Sequence, residues 1–202
     1  MEVKDVTTAQ PTPVQQQRRQ ITIDALVAAS RQGVIEYGMG VSMDQIAELA
    51  QVGRRTAFRY FATREDLISA GLATVTRDLL LAMPEYTGGD WRTWLADVVR
   101  LRHQTTVRGG RIYWEMTVQQ LPERVARAVA EHRGVLRGIY TMVSTTIWHA
   151  AGGEGDPPQR LYRTVAAHMS PLFTQAVVLD ADGTPELAAE MATDAIIAAV
   201  RT

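Results

Sequence analysis

This sequence of 202 residues contains no cysteine, so disulfide bonds and chemistry that depends on a thiolate are excluded. No apolar run approaches the roughly 20 residues that a helix needs to cross a bilayer. Residues 1–17 lack the apolar core of a secretory signal. We therefore expect a cytoplasmic protein that does not insert into a membrane.

Short motifs of common enzymes are also missing. The chain has no G-x-G-x-x-G, no phosphate-binding loop, no H-E-x-x-H and no G-x-S-x-G. His103, His149 and His168 lie on three separate predicted helices and could converge, but no H-x-x-x-H pair occurs, and a histidine without a metal is the commoner case. We expect a protein that is not an enzyme and has no metal site and no cofactor.

Apolar residues make up 46% of the chain, enough for a sizeable core, and nearly all of them recur with helical period. The pattern predicts an all-α fold of about nine helices after a flexible tail over residues 1–17. The first helix is predicted to start near Arg18 and to end at Gly38 and Gly40. The later helices are expected to start near Asp90, Arg111, Pro122, Pro158 and Pro185. Pro171 should kink the helix that starts near Pro158.

Residues 42–61 have the spacing of a helix-turn-helix and read SMDQIAELAQVGRRTAFRYF. Ser42 opens a capping box with Gln45, and residues 51–53 form a tight turn before a short helix from about Arg54 to Tyr60. Residues 18–64 contain seven arginines and four acids, a net charge of +3 in a chain whose total is −1. Such a basic cluster suits DNA.

The side chains of the short third helix match the chemistry of DNA. Arg54, Arg55 and Arg59 offer charge to phosphates or a bidentate fork to guanine O6 and N7, and Thr56 offers a hydroxyl. The F-x-x-F spacing of Phe58 and Phe61 places both rings on one face and predicts that they lie in the core.

Leu26 to Leu67 resembles the DNA-binding domain of the TetR family. The matching positions are Leu26, Ala29, Ser30, Gly38, Ile46, Ala47, Ala50, Val52, Thr56, Phe61 and Leu67. Four positions depart from the family pattern: Gly53 replaces serine, Gln51 replaces glycine, Phe58 replaces tyrosine, and Arg55 stands where a small residue is usual.

The resemblance implies a three-helix DNA-binding domain over residues 18–63 and a larger helical bundle over residues 64–202 that binds an effector and dimerises. It implies that Ser42, Thr56 and Tyr60 contact phosphates, that Arg64 does so in place of the family's lysine, and that the three arginines above reach bases. The function that follows is repression at a near-palindromic operator, relieved by a small molecule. Two alternatives stay open: a DNA-binding protein of this fold without an effector, and a helical binding module without DNA affinity.

Aromatic residues concentrate in the second domain, where all four tryptophans follow Pro84. They predict a pocket for an apolar or aromatic effector, although core packing is the alternative. Arg102 beside His103 suits an acidic effector or, equally well, a solvated face. The candidate pocket residues are Trp94, His103, Trp114, Tyr140, Trp148 and Phe173.

Apolar residues cover two sides of the helix predicted from Pro158 and much of the last helix, which predicts a homodimer built from these two helices of each subunit. One stripe comprises Leu161, Val165, Met169, Leu172, Ala176 and Leu179, beside Tyr162, Ala166, Phe173 and Val177. The last helix contributes Leu187, Ala188, Met191, Ala192, Ala195, Ile196, Ala199 and Val200.

Overall fold

Ten α-helices and no strand occur in the part of the chain that the computed structural model describes, residues 12–110 and 112–201 without the side chains of Trp114, Thr117 and Val118. The all-α prediction is confirmed. The helices are α1 (Pro13–Tyr37), α2 (Met43–Leu49), α3 (Arg54–Tyr60), α4 (Arg64–Ala82), α5 (Trp91–Arg108), α6 (Ile112–Val118), α7 (Glu123–Ala150), α8 (Gln159–His168), α9 (Pro171–Gln175) and α10 (Pro185–Val200).

Helix α1 begins at Pro13, earlier than the start predicted near Arg18. Thr12 and Gln15 form a capping box, and Pro13 occupies the first turn, where its missing N–H costs nothing. Residues 13–17 are therefore helical and Thr12 is their cap, so the predicted tail was too long; residues 1–11 lie outside the described part. The exposed first turns of α1 carry no apolar period, so only the cap could have marked the start. Gly38, with φ of 78°, ends the helix as predicted.

The N-terminal core joins α1, α2, α3 and the first half of α4 around Leu26, Ile46, Ala57 and Leu67, all fully buried. Helices α1 and α4 approach closely at Gly71, because a Cβ there would lie 2.5 Å from the Ser30 hydroxyl. We call α1, α2 and α3 the head, and α5 to α10 the body.

Packing continues across the boundary predicted between residues 63 and 64. The head core continues into Tyr113 and Met116 of α6 and Val129 of α7, while Leu79 near the end of α4 belongs to the body core. Helix α4 therefore contributes to both cores and connects them mechanically. The predicted boundary follows the motif and not the packing.

The body core is formed by α5, α7, α8 and α10, which bury Leu95, Ile147, Leu161 and Ile196 completely. The single helix predicted from Pro158 is divided, because α8 ends at His168 and α9 starts at Pro171. Proline disfavours helical dihedrals in the residue before it, and Ser170 is extended (φ −74°, ψ 150°) and caps α9 by accepting a hydrogen bond from the Phe173 N–H at 3.2 Å. A π-helical turn, Ala176–Asp180, follows α9.

Candidate nucleic-acid interface and cavities

Helices α2 and α3 form the predicted helix-turn-helix. The Ser42 hydroxyl accepts the Gln45 N–H at 3.2 Å, and the Gln45 side chain accepts the Ser42 N–H at 2.8 Å. Gln51 in the turn has φ of 55°, which explains why glycine is usual at this position in the family pattern. Ala57 is fully buried beneath α3, so the opposite side of this helix faces solvent.

The exposed side of α3 carries Arg54, Arg55, Phe58 and Arg59. The prediction that Phe58 lies in the core was wrong: 41% of its surface is exposed, and the Arg54 guanidinium lies 5.5 Å from the centre of its ring. A seven-residue helix that rests on Ala57 has room for few inward positions, and Phe61, just after its end, is only half-buried.

The three arginines of α3 have different partners. Arg54 forms an ion pair with Asp44 of α2 at 2.6 Å. Arg59 lies 5.0 Å from the centre of the Tyr60 ring and donates to the Tyr60 hydroxyl at 3.3 Å. Within residues 12–110 and 112–201, no carboxylate pairs with Arg55 or Arg59. Their positive charges are therefore available to an external anion.

The residues expected at phosphates occupy different environments. Ser42 is exposed at the start of α2, whereas Thr56 and Tyr60 are half-buried on α3. Arg64 donates to the carbonyls of Met39 and Val41, each at 3.3 Å, and pairs with Glu65 at 2.7 Å. Arg64 thus holds the α1–α2 loop, and its phosphate contact stays a prediction.

A first cavity of about 290 Å³ lies where the head meets the body, between α1, α4, α5 and α6. Its wall is mostly apolar, and the ion pair of Arg31 with Asp78 (2.8 Å) joins α1 to α4 at its edge. Tyr113 and Met116 on α6 separate it from a second cavity.

The second cavity, of about 320 Å³, lies between α6, α7 and α9. Apolar side chains such as Met116, Leu136 and Leu172 form one part of its wall, and Tyr140, His132 and two arginines form another. No aspartate or glutamate lines it in the described part of the chain.

The six residues predicted to bind an effector do not lie together around one cavity. Tyr140 lines the second cavity, whereas His103 and Phe173, whose ring centres lie 5.9 Å apart in the body, line neither cavity. Trp94 and Trp148 line neither cavity, because their indole N–H groups donate to the carbonyls of Pro84 (3.0 Å) and Glu154 (3.2 Å) elsewhere in the body. The side chain of Trp114 lies outside the described part.

Sequence reasoning gave no functional role to His132 or Glu115, and left Arg102 open. Arg102 is completely buried, which rules out the solvated face considered for it. Its NH1 donates to Thr106 at 2.8 Å, and its Nε and NH2 have no partner. An isolated arginine on a polar stretch of helix carries no periodic signal that could have revealed this burial.

Two buried histidines are neutral at pH 7. Burial lowers the pKa of His103 to about 4, and burial likewise lowers the pKa of His132 to about 4, with Arg102 acting in the same direction on both. His103 contacts Thr174 at 2.8 Å, whereas His149 contacts the Gly155 carbonyl at the end of α7. Among the described residues, no group of histidines and carboxylates could hold a metal.

Helix α6 connects the cavities to the head. Glu115 on α6 is buried, and its Oε2 accepts the Met39 N–H of the α1–α2 loop at 2.6 Å. From the other side, Arg133 of α7 donates to the Met116 carbonyl at 3.1 Å. A shift of α6 would therefore act on the loop that precedes α2.

Across the described residues, every helix is too short or too polar to cross a bilayer.

Comparison with known proteins agrees with the residues that carry the resemblance. Residues 26–70 match the sequence model of the bacterial regulatory proteins of the tetR family. No curated protein matches this chain.

Solved structures share the fold over nearly the whole chain. A protein from Syntrophomonas wolfei assigned to the TetR-family transcriptional regulators has a TM-score of 0.69 at 17% identity, covering 93% of this chain and 97% of that one. A TetR-family regulator from Streptomyces coelicolor has a TM-score of 0.62 at 20% identity, covering 91% and 79%. A third, from Marinobacter aquaeolei, has a TM-score of 0.57 at 22% identity, covering 89% and 97%.

Proposed function

We propose that this chain, a transcriptional regulator with the helix-turn-helix and the fold of the TetR family, is a homodimeric repressor that a small molecule releases from its operator. One observation carries the DNA-binding part: α3 presents Arg55 and Arg59 to solvent without a carboxylate partner, on the second helix of a helix-turn-helix. That helix enters the major groove in proteins of this architecture.

The residues on and around α3 separate into some that contact bases and some that contact phosphates. Arg55 and Arg59 reach base edges, where a guanidinium can donate two hydrogen bonds to one guanine. Arg54 is held by Asp44, and Ser42 and Thr56 offer hydroxyls at the rim of the same surface, so these residues serve the phosphates.

Exposed apolar side chains at the end of the chain support the homodimer. Leu172 and Leu179 follow the break after α8, and Leu187 and Met191 lie one turn apart on α10; all four are exposed in the single chain. Exposed apolar side chains on elements that contact one another, as α9, the π-helical turn and α10 do, form the kind of surface that marks an interaction site. Packing these elements against their copies around a twofold axis would bury them and set two heads side by side for a near-palindromic operator.

The connection through α6 supports gating by a ligand. The two cavities share Tyr113 and Met116 of α6, and Glu115 of the same helix binds the loop in front of α2. A ligand that fills a cavity only when α6 has shifted would favour a head position unsuited to DNA. It can lower operator affinity only as far as it prefers that state, typically by about 1–3 kcal/mol.

Selection of bound fragments from a random duplex library, followed by fluorescence anisotropy on the enriched duplex, tests the proposal. We expect a near-palindromic site, bound by two copies of the chain, with an affinity that falls steeply as salt rises. Repeating the titration with candidate ligands should identify compounds that weaken binding. A selected site that no ligand affects would support DNA binding without an effector, and no enriched site at all would leave only the helical binding module.

A further inference from the structure

Arg102 of α5 is a buried positive charge without a counterion. Its side chain is completely buried, and the groups within its reach are neutral hydroxyls: NH1 donates to Thr106, one turn along the same helix, and Tyr140 of α7 lies near enough to hydrogen-bond the guanidinium. Nε and NH2 have no hydrogen-bond partner, and in the described part of the chain no carboxylate pairs with this residue. Buried guanidinium groups in folded proteins are normally paired, because desolvating the charge alone is costly.

The surroundings of Arg102 connect it to the second cavity. Its guanidinium lies 5.5 Å from the centre of the Tyr113 ring, and Tyr113 lines that cavity. It also lies close enough to Tyr140, in the same wall, to oppose the rise that burial causes in the pKa of that hydroxyl. Arg102 therefore does not line the second cavity itself, but lies next to two tyrosines that do.

The charges around the cavity all have one sign. Arg133 and Arg137 lie on its wall and are exposed, so they face the approach from solvent, and no acidic residue lines it among the described positions. The rest of the wall is apolar, with Met116, Val129 and Leu136. An occupant that fits both features has an anionic end and an apolar body.

His132 is excluded as the main partner of the anion. Thr76 donates its hydroxyl proton to the Leu72 carbonyl at 2.9 Å, so it accepts from Nδ1 of His132 at 2.8 Å. That assigns the proton of the neutral ring to Nδ1 and leaves a lone pair on Nε2, which has no partner. Nε2 can accept a hydrogen bond from a ligand but repels a carboxylate.

We infer that the second cavity binds a small amphipathic carboxylate whose anionic group pairs with Arg102 and whose apolar body contacts the Met116 and Leu136 side of the wall. This inference rests on the proposed function, since it names the chemical class of the effector. The free Nε and NH2 lie on one edge of the guanidinium and suit bidentate pairing with a carboxylate. Because Arg102 does not line the cavity, this pairing requires a side chain of the wall to move. Tyr113, whose ring lies next to the guanidinium, is on α6, the helix whose Glu115 accepts a hydrogen bond from the Met39 N–H of the head.

Matched pairs of a carboxylate and its neutral amide test the charge requirement. Octanoate with octanamide, 4-phenylbutyrate with 4-phenylbutanamide, and 1-naphthoate with 1-naphthamide are titrated into the full-length protein by calorimetry, with acetate as the anion that lacks an apolar body. We expect at least one carboxylate to bind at least tenfold more tightly than its amide and far more tightly than acetate. Equal or weaker binding of all three carboxylates relative to their amides would overturn the inference.

Variants of Arg102 locate the anion. Arg102→Met should abolish the preference for the carboxylate and raise the melting temperature of the ligand-free protein, because an unpaired buried charge is removed. Arg102→Lys keeps the charge and should retain part of the preference. Arg100→Met, on the exposed side of the same helix, is the control and should bind as the parent does. A preference for the carboxylate over its amide that survives in Arg102→Met would contradict the assignment. If Arg102→Met does not fold, Arg102→Lys decides: a preference for the carboxylate as strong as that of the parent would contradict the assignment.

Operator binding separates this inference from the function on which it rests. If the preferred carboxylate binds through Arg102 and releases the selected duplex, both stand. If neutral compounds release the duplex while no carboxylate is preferred, the effector-gated regulator stands and the anion site does not. If no duplex is bound under any condition, the proposed function is wrong, and the calorimetric result on Arg102 still decides the site.

Discussion

At the scale of single residues, Arg55 and Arg59 are distinguished from Arg54 by the absence of a carboxylate partner within the described chain. We predict that Arg55→Ala and Arg59→Ala each weaken binding to the selected operator by about 1–3 kcal/mol if the guanidinium reads a base. Anisotropy at fixed salt measures the loss, and the slope of affinity against salt shows whether a phosphate contact was removed instead.

The matched control for these variants is Arg100→Ala, an exposed arginine on α5 in the body. It should bind the operator as tightly as the parent. If both α3 variants also bind like the parent, α3 does not read the DNA.

His103 and His132 make stability depend on pH. Their pKa values are lowered to about 4 in the folded protein, against 6.5 without the fold, because burial disfavours the charged ring. The unfolded chain therefore takes up more protons between these values. The stabilisation that the neutral rings provide is complete above about pH 6.5 and is lost as the pH falls towards 4, by roughly 2 kcal/mol per histidine between pH 7 and pH 5.

We predict that His132→Gln reduces the loss of unfolding free energy between pH 7 and pH 5 by roughly that amount relative to the parent. Urea denaturation at one protein concentration measures it, and His149→Gln, on the exposed end of α7, is the control. An identical loss in parent and His132→Gln would show that His132 is not kept neutral by its surroundings.

At the scale of secondary structure, the buried hydrogen bond between Glu115 and the Met39 N–H joins the short helix α6 to the head. Glu115→Leu would leave the Met39 N–H without its acceptor, and we predict a loss of about 1–3 kcal/mol in the free energy of unfolding. We also expect weaker operator binding, since Glu115 no longer holds the loop in front of α2 through the Met39 N–H.

Glu115→Gln keeps an oxygen that can accept from Met39 and should recover most of both properties. Glu131→Leu, on the exposed side of α7, controls for the loss of an acid. Urea denaturation and anisotropy report the two effects separately. Parent-like behaviour of Glu115→Leu in both would mean that α6 does not position the head.

At the scale of the whole molecule, the exposed apolar residues of α9 and α10 should lie in a subunit interface. We predict that Met191→Glu turns a dimer into a monomer or an aggregate, because the interface would bury an unpaired charge. Sedimentation velocity at micromolar protein distinguishes these states.

Leu81→Glu is the control for that substitution, because Leu81 is an exposed apolar residue on α4, 79% accessible and away from α9 and α10. It should leave the dimer intact. A parent chain that sediments as a monomer would refute the interface, whatever the variants do.

Local signals in the sequence were enough to determine the helix-turn-helix and most of the helices. The capping box at Ser42, the turn at Gln51 to Gly53 and the bounds of α3 all involve residues close together in the chain, and the structure confirms them. The prolines and glycines that end helices act through their own backbone, so the end of α1 at Gly38 was predicted correctly. At Pro171 the sequence predicted a kink, whereas the structure has a break between α8 and α9.

Only the tertiary structure decided which side chains meet. Phe58 faces solvent because Ala57 is the fully buried position of α3 and Phe58 lies on the opposite side. Trp94 and Trp148 line neither cavity, and the carbonyls of Pro84 and Glu154 accept their indole N–H groups. Arg102 is buried by α6 and α7, elements that follow it in the chain and that no periodicity around residue 102 can place. Burial and pairing depend on how helices pack against one another, whereas caps and turns depend on neighbours in the sequence.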